Sequence, residues 1–352
     1  MVRETKDYQL DYFRHALDPD RELINISPAY QRRLRWTRKK KSLLIESFLL
    51  NIPVPPIYLY EQDYNAYEVI DGQQRLDAIS TFLRNDFALT GLEYWPELNR
   101  KRFLDLPQVL QRGLLRRSLP AVVLLAETKL SSADGLDVRR VLFDRLNTGG
   151  IRLNPQELRN ALYPGALNDL LITLARSDVF TKVWEIPPRT ENEEAEPSEE
   201  LLANALYSKL ADAELVLRVL ALRDAIDKGK RGSLRSILDN YMSTNATLGT
   251  ADSESLAEIF SDSLARLHSV FGESTFRLPS GRLSRPLYDA LMIALSFNSD
   301  YSIENNQEQI LNALTESLND PEDYATLVGR GNTIEAVRER VILAARILNP
   351  EG

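Results

Sequence analysis

The spacing of apolar residues along this 352-residue chain changes near residue 165. Before that position, short apolar and aromatic runs typical of strands alternate with stretches in which apolar residues recur every three or four positions, as on one face of a helix. After it, nearly every apolar stretch has helical spacing. The pattern, with a length sufficient for about two domains, predicts an α+β domain over residues 1–165 and an all-helical domain over residues 166–352.

The first domain is predicted to contain strands at residues 57–60, 67–70 and 121–126, which are apolar or aromatic along most of their length. Its helices are predicted at residues 38–50, 73–83 and 137–146. Pro53, Pro55 and Pro56 end the first helix because proline cannot continue helical hydrogen bonding. In the second domain, helices are predicted at residues 165–177, 199–227, 233–242, 252–271, 284–298, 302–318 and 332–348.

The net charge of −8 conceals two clusters of opposite sign. Seven basic residues and no acid occur between Arg32 and Lys41, whereas six of the ten residues from Glu191 to Glu200 are glutamate. The acidic run lies near a Pro- and Glu-rich stretch at residues 186–197, and together they predict an exposed loop or linker. Anions are therefore expected at the basic cluster and not over the surface as a whole.

Cysteine is absent, and His15 and His268 are the only histidines. These counts exclude disulfides, thiolate metal sites and a cysteine nucleophile, and they argue against a multi-histidine metal site or a histidine-dependent HNH nuclease. Catalysis would have to use carboxylates, amides, Arg, Lys, Tyr or Mg²⁺. No apolar run approaches the length of a membrane span and no signal-peptide pattern opens the chain, so we expect a cytoplasmic protein.

The first candidate site is the sequence Asp71-Gly72-Gln73-Gln74-Arg75, which follows a predicted strand and opens a predicted helix. The first N–H groups of a helix are unpaired and attract anions, and an arginine can bind phosphate with two parallel hydrogen bonds. Asp71 could hold Mg²⁺ or accept a proton, and a glutamine could orient a water molecule. The same residues also fit a purely structural turn in which Asp71 caps the helix.

The second candidate site is the segment Tyr30–Trp36, where two aromatic residues are interleaved with arginines. This composition suits stacking on a base and binding of phosphates. The alternative is an ordinary basic helix start with both aromatic rings in the core. Cations at the start of a helix oppose its dipole, which favours a bound anion there.

The third candidate is the glycine turn Asn147–Gly150 with the helix start that follows it. Asn154, Pro155 and Glu157 form the pattern of a capping box, which a structural role explains completely. The capping pattern does not explain Asn147, Arg159 or Asn160, and a structural role does not require that it should.

Together these segments resemble the N-terminal domain of GmrSD-type, modification-dependent restriction systems, within the wider ParB/sulfiredoxin-like fold. The matching sequences are YQRRLRW at 30–36, IPVPPIYLY at 52–60, VIDGQQRLDAI at 69–79 and LFDRLNTGGIRLNPQELRNALYPG at 142–165. Sequences at 214–224, 232–242 and 332–348 resemble the family's usual helical continuation. The resemblance thus covers nearly the whole chain.

The resemblance implies binding and Mg²⁺-dependent hydrolysis of a nucleoside triphosphate, GTP or ATP. Asp71, Gln74 and Arg75 are the expected catalytic residues, and Asp71 is the expected metal ligand. The expected nucleotide-binding residues are Tyr30, Gln31, Arg32, Arg33, Trp36, Ile57, Asp71, Gly72, Gln73, Gln74, Arg75, Asn147, Thr148, Gly149, Gly150 and Asn160. Larger members of the family carry an HNH nuclease domain, so we expect a sensor or switch that acts with a nuclease on another chain, and an oligomer is compatible with this.

Three alternatives remain open from the sequence. The chain could be a DNA-binding module without turnover, in which Arg38, Lys39 and Lys40 contact phosphates. It could be an endonuclease that uses Asp105, Glu127 and Lys129 with Mg²⁺. It could also be a structural or antitoxin-like partner that acts through the acidic segment Glu191–Glu200.

Overall fold

A computed structural model describes residues 3–18, 23–25, 36–124, 154–191, 193, 197–329, 331 and 333–350. The chain divides into two compact units, Met1–Arg152 and Leu153–Gly352, each with its own apolar core. The first unit is α+β, and the elements described in the second are helices, as the apolar pattern predicted. The division falls before the helix Pro155–Leu162, earlier than the boundary predicted at residue 165.

The first unit is organised on a mixed five-stranded sheet with the order β1-β5-β3-β4-β2. Strands β3 and β4 form an antiparallel hairpin, β5 runs parallel to β3, and β1 closes the other edge antiparallel to β5. The strands are β1 (Arg3–Gln9), β2 (Ile24–Asn25), β3 (Ile57–Asp63), β4 (Ala66–Asp71) and β5 (Ser118–Leu124).

Helices pack on the sheet face that carries Ile57, Leu59, Val69, Ala121 and Val123. Their apolar residues join the strand residues in one core, and α3 contacts both α1 and α2. The helices are α1 (Leu10–Ala16), α2 (Arg38–Leu49), α3 (Gln73–Leu83) and α4 (Gln108–Leu115).

The apolar pattern located β3, β4, α2 and α3 within three residues of their bounds. It missed β1, whose sequence RETKDYQ is almost entirely polar because an edge strand can leave much of its surface in water. Of the predicted strand at residues 121–126, the last two residues lie outside the described part of the chain, as does the predicted helix at residues 137–146.

The second unit is built from helices around one large core. They are α5 (Pro155–Leu162), α6 (Ala166–Leu174), α7 (Asp178–Val183), α8 (Glu199–Ala203), α9 (Ala205–Ser208), α10 (Ala211–Asp227), α11 (Leu234–Thr244), α12 (Thr250–Phe271), α13 (Arg285–Phe297), α14 (Gln307–Asn319), α15 (Pro321–Val328) and α16 (Ile334–Leu348).

The prediction of one helix over residues 199–227 is wrong, because the segment is broken twice. Asn204 ends α8 and caps α9, where its side-chain oxygen accepts hydrogen bonds from Leu206 N and Tyr207 N. Leu210 then has a left-handed backbone with φ of 55°, which a continuing helix cannot contain. Apolar spacing persists through both breaks, so it could not reveal them.

Most described residues of the Glu-rich segment Glu191–Glu200 are exposed, as its composition predicted, but one glutamate is not. Glu193 is buried, and its carboxylate forms a bidentate ion pair with the buried Arg176, with 2.7 Å between Arg176 Nε and Glu193 Oε1. Arg176 Nη2 also donates to Pro187 O. Arg176, just after the end of α6, therefore holds the loop that begins at residue 186 through its bonds to Pro187 and Glu193.

In the first unit, the buried carboxylate of Glu46 organises the loop that follows α3. It accepts hydrogen bonds from the backbone N–H groups of Glu93, Tyr94 and Trp95 at 2.8–3.1 Å. Burial raises the pKa of Glu46, but the three N–H donors outweigh burial and hold the pKa below its ordinary value of 4.5. The charged carboxylate is thus the form that the fold binds.

We predict that Glu46→Gln lowers the free energy of unfolding at pH 7 by about 2 kcal/mol, because charge-assisted bonds to three N–H groups are lost or weakened. Because folding depresses this pKa, the stabilisation is complete above pH 4.5 and is lost as the pH falls below that value. Denaturant unfolding of both proteins between pH 3 and 7 measures the effect.

The matched control is Glu93→Gln, which changes an exposed carboxylate on the same loop and leaves the backbone donor in place. Its stability should follow the wild type at every pH. Equal stability of Glu46→Gln and the wild type at pH 7 would contradict the assigned role.

Candidate functional site

The turn between β4 and α3 requires glycine at position 72. Gly72 has φ of +99° and ψ of 9°, a backbone conformation that L side chains rarely adopt. A Cβ atom at this position would lie 2.2 Å from Ile57 Cγ2 and 2.9 Å from Ile57 Cβ. The backbone of the turn therefore lies directly against the start of β3, which brings Asp71, Gly72 and Ile57 together as the sequence predicted for the site.

The side chain of Arg75 lies back across this turn. Its Nη2 atom donates to Asp71 Oδ2 at 2.8 Å and to the carbonyl oxygen of Pro56 at 3.2 Å. The Arg75 side chain is only 16% exposed, whereas that of Asp71 is 59% exposed. The guanidinium is therefore enclosed by the turn and by the proline segment, while the carboxylate that pairs with it faces solvent.

Two buried polar atoms of the first turn of α3, Arg75 Nε and Gln74 Oε1, have no hydrogen-bond partner among the residues that the structure describes. Burial of an unpaired donor or acceptor costs about 1–3 kcal/mol.

The interpretation of Asp71 as a helix cap is wrong. The N-cap of α3 is Gly72, which has no side chain to cap the helix, and the first turn contains no acidic residue. Asp71 pairs with Arg75 instead. The start of α3 therefore lacks a side-chain cap and lies next to a mostly buried guanidinium, which is an arrangement that attracts anions.

The cations at the start of α2 do not all have the same environment. Arg38, Lys39 and Lys40 are exposed, and the helix has no acid in its first turn. Lys41 is instead half-buried and forms an ion pair with Asp77 of α3, with 2.6 Å between Lys41 Nζ and Asp77 Oδ2.

This ion pair relates the two helix starts in space. Lys41 is the fourth residue of α2 and Asp77 is the fifth of α3. With a rise of 1.5 Å per residue, each helix begins within about 6 Å of the pair along its own axis. The exposed cations of α2 and the turn at Asp71–Arg75 therefore belong to one region of the first unit.

The side chain of Trp36 contacts both the apolar core and a lysine. It is half-buried and packs against the core of the first unit, and Lys40 Nζ lies 5.0 Å from the centroid of its ring. For Trp36, these contacts fit the alternative of a basic helix start with the aromatic ring against the core. Tyr30, Gln31, Arg32 and Arg33 lie outside the described residues.

The described part of the third segment belongs to the second unit. Asn154 and Glu157 form the expected capping box, in which Asn154 Oδ1 accepts from Gln156 N and Glu157 N, and Glu157 Oε2 accepts from Asn154 N. Asn160 is buried on the same helix. The turn Asn147–Gly150 lies outside the described residues.

Arg159 has a structural role that the sequence did not reveal. It is buried, with Nε 2.7 Å from Asp239 Oδ1 of α11 and Nη1 2.9 Å from Glu214 Oε2 of α10. Nη1 also donates to Gln156 Oε1. Arg159 therefore links α5 to α10 and α11 of the second unit by ion pairs. Because α5 belongs to that unit, the boundary of the unit lies before residue 155.

The residues proposed for an endonuclease are only partly described. Asp105 ends a short 3₁₀ helix, Phe103–Asp105, and accepts a hydrogen bond from Arg102 N at 3.0 Å. Glu127 and Lys129 lie outside the described residues. Within the described ranges, no group of three or more His, Asp or Glu side chains could hold a metal ion.

Part of the chain is similar to a known family. Residues 15–164 match the family described as GmrSD restriction endonuclease, N-terminal domain. No curated protein and no solved structure matched the chain in the same comparisons. Among the described helices, none is both long enough and apolar enough to cross a membrane.

We predict that Gly72→Ala destabilises the first unit by about 3 kcal/mol or more, because it adds a left-handed alanine and a clash with Ile57. Chemical denaturation monitored by tryptophan fluorescence measures the change. Gly91→Ala is the control, since Gly91 also has positive φ but its Cβ would meet only the flexible stem of Lys39. It should lose about 1–2 kcal/mol, and equal losses for both variants would show that the contact with Ile57 is unimportant.

Proposed function

We propose that the chain, whose residues 15–164 match the family described as GmrSD restriction endonuclease, N-terminal domain, is a nucleotide-dependent component of a bacterial or archaeal restriction-type defence system. It binds GTP or ATP with Mg²⁺, hydrolyses it, and serves as a regulatory or sensor subunit in the cytoplasm. We propose the ParB/sulfiredoxin-like fold for its first unit.

The observation that carries the proposal is the mostly buried Arg75 guanidinium at the start of α3, which has no side-chain cap. A triphosphate is the common ligand that matches a guanidinium, a helix N-terminus and a glycine turn without a side chain. The buried and unpaired Arg75 Nε and Gln74 Oε1 support a polar ligand at this place. The exposed cations of α2 increase the positive potential of the same region.

Each residue has a role in this proposal. Arg75 and the N–H groups of Gln73 and Gln74 bind phosphate oxygens, and Gln74 orients the attacking water through its side-chain amide. Gly72 has no side chain and so allows the ligand to approach the backbone. Ile57 packs directly against Gly72 and holds the turn in place. The resemblance adds Tyr30, Gln31, Arg32, Arg33, Trp36, Asn147, Thr148, Gly149 and Gly150 to the proposed nucleotide-binding residues.

The single carboxylate of Asp71 is enough to help bind Mg²⁺ when nucleotide phosphates are also present. Mg²⁺ is commonly held by one or two carboxylates together with substrate phosphates and water, so a dedicated cluster of acids is not required. Asp71 is solvent-exposed beside Arg75 and can supply that carboxylate. The ion would neutralise phosphate charge during transfer.

The helical unit and other chains complete the proposed system. Within the helical unit, Arg159 joins α5 to α10 and α11 through two ion pairs. DNA cleavage is assigned to a nuclease on a separate chain, and assembly with that chain or with further copies of this one is compatible with a sensor role.

We predict that Arg75→Ala weakens binding of GTP or ATP by at least tenfold and lowers hydrolysis correspondingly, because the principal phosphate contact is lost. Asp71→Ala should lose most Mg²⁺-dependent hydrolysis. Titration of each nucleotide with Mg²⁺, followed by phosphate release from purified protein, measures both effects.

Arg84→Ala is the matched control, because Arg84 lies at the other end of α3 and pairs only with Asp86 on the surface. It should behave as the wild type. If Arg75→Ala and Asp71→Ala both turn over nucleotide at the wild-type rate, the site is somewhere else.

The exposed cluster Arg38, Lys39 and Lys40 favours DNA as a second ligand. These three exposed cations are the first three residues of α2, and the first turn of this helix contains no acidic residue. DNA phosphates would compensate the repulsion between these cations and the helix dipole. The chain would then bind DNA through α2, with or without nucleotide turnover.

We predict that replacing Arg38, Lys39 and Lys40 together by glutamine lowers the salt dependence of DNA binding, with the log–log slope reduced by up to about 3. Fluorescence anisotropy at several salt concentrations measures the slope. Replacement of the exposed Arg112 and Arg116 on α4 is the control for loss of charge alone. An unchanged slope in the triple variant, with nucleotide binding intact, would remove α2 from the DNA interface.

A further inference from the structure

The hydrogen bonds of Arg75 leave it unable to bind phosphate in its strongest mode. A guanidinium has five N–H donors and two edges that can form paired bonds, one made by Nε with an Nη atom and one made by both Nη atoms. In Arg75, Nη2 donates to both Asp71 Oδ2 and Pro56 O. Nη2 is the nitrogen that both edges share, so a phosphate can form a paired interaction only by displacing one of these acceptors.

The two acceptors differ in how easily they can leave. Pro56 O belongs to the backbone and lies in a segment with three prolines immediately before β3, so it cannot move without moving the sheet. The Asp71 side chain is 59% exposed at the end of β4. A change of its rotamer would place the carboxylate in water.

A phosphate and the Asp71 carboxylate would compete for Nη2. Either edge of the guanidinium requires Nη2, and of its two present acceptors the exposed carboxylate is the one that can leave. Two anions cannot share this nitrogen, because like charges at contact distance repel each other.

We propose that Asp71 is an internal substitute for phosphate, and that nucleotide binding displaces its carboxylate from Arg75. The proposal rests on the proposed nucleotide site and assigns two successive partners to Asp71. Without nucleotide, Asp71 neutralises the buried guanidinium. With nucleotide, the phosphate neutralises Arg75 and the released carboxylate lies beside the phosphates, where it can contribute to binding Mg²⁺.

This exchange couples the metal site to the nucleotide. While Asp71 is paired with Arg75, its negative charge is compensated and one of its oxygens is engaged. Asp71 can offer its whole carboxylate to Mg²⁺ only after a phosphate has taken its place on Arg75. Binding of Mg²⁺ by the free protein is thereby opposed, and binding with nucleotide is favoured.

The test is nucleotide binding by Asp71→Asn in EDTA, where the metal role of Asp71 is removed. The amide cannot compete with phosphate for Arg75 as a carboxylate does, so we expect affinity for a non-hydrolysable GTP or ATP analogue to increase about tenfold. With Mg²⁺ present, hydrolysis by the same variant should fall. Calorimetric or fluorescence titration provides both affinities.

Asp86→Asn is the matched control, because Asp86 is an exposed carboxylate that pairs with Arg84 beyond the other end of α3. It should leave affinity in EDTA unchanged. The Asp71→Asn protein should also keep the wild-type thermal unfolding midpoint within a few degrees, which excludes an effect through global destabilisation.

Two outcomes would overturn the exchange and are distinguishable from each other. If the wild type binds nucleotide and Arg75→Ala does not, but Asp71→Asn binds in EDTA as weakly as the wild type or more weakly, the exchange is wrong while the nucleotide site stands. If neither wild type nor Asp71→Asn binds any nucleotide, with or without Mg²⁺, the proposed function fails and the exchange fails with it.

Discussion

The close approach of Gly72 to Ile57 is the constraint on which the candidate site depends. Only a residue without a side chain can hold φ of +99° while its backbone lies against Ile57. This contact sets where α3 begins relative to β3. Because Arg75 is the third residue of α3, its guanidinium then falls within hydrogen-bond distance of Pro56 O and Asp71. One steric requirement thus positions the charged group, the uncapped helix start and the exposed carboxylate together.

The same constraint explains what the sequence could and could not predict. The strand, turn and helix around Asp71–Arg75 were predictable because apolar periodicity and a glycine turn are local signals. The partner of Arg75 was not, because Pro56 is separated from it by a whole hairpin and acts through a carbonyl oxygen that every residue possesses. Sequence pattern marked the prolines as helix breakers, whereas the fold uses one of them as an acceptor.

The buried ion pairs are a second feature that the sequence pattern could not predict. Arg159 with Asp239 and Glu214, and Arg176 with Glu193, join residues 17 to 80 positions apart. Charged residues are usually exposed, so their burial is evident only when their partners are known. The helix signature at Asn154–Asn160 consequently contains a cap and a buried anchor, and its described contacts explain Glu157 and Arg159 as structural residues of the helical unit.

Electrostatics connects these features to function. The chain carries a net charge of −8, yet α2 and α3 both begin without an acid in the first turn, and the Lys41–Asp77 pair holds their starts in one region. The positive ends of two helix dipoles and the exposed cations of α2 therefore add, while Asp71 partly compensates the guanidinium that lies among them. A region of this kind is most stable when an external anion replaces the internal one. In the proposed nucleotide complex, a polyanionic ligand would offset the cost of bringing Arg75 and the cations of α2 together, and the Asp71–Arg75 ion pair would link that region to the proposed ligand.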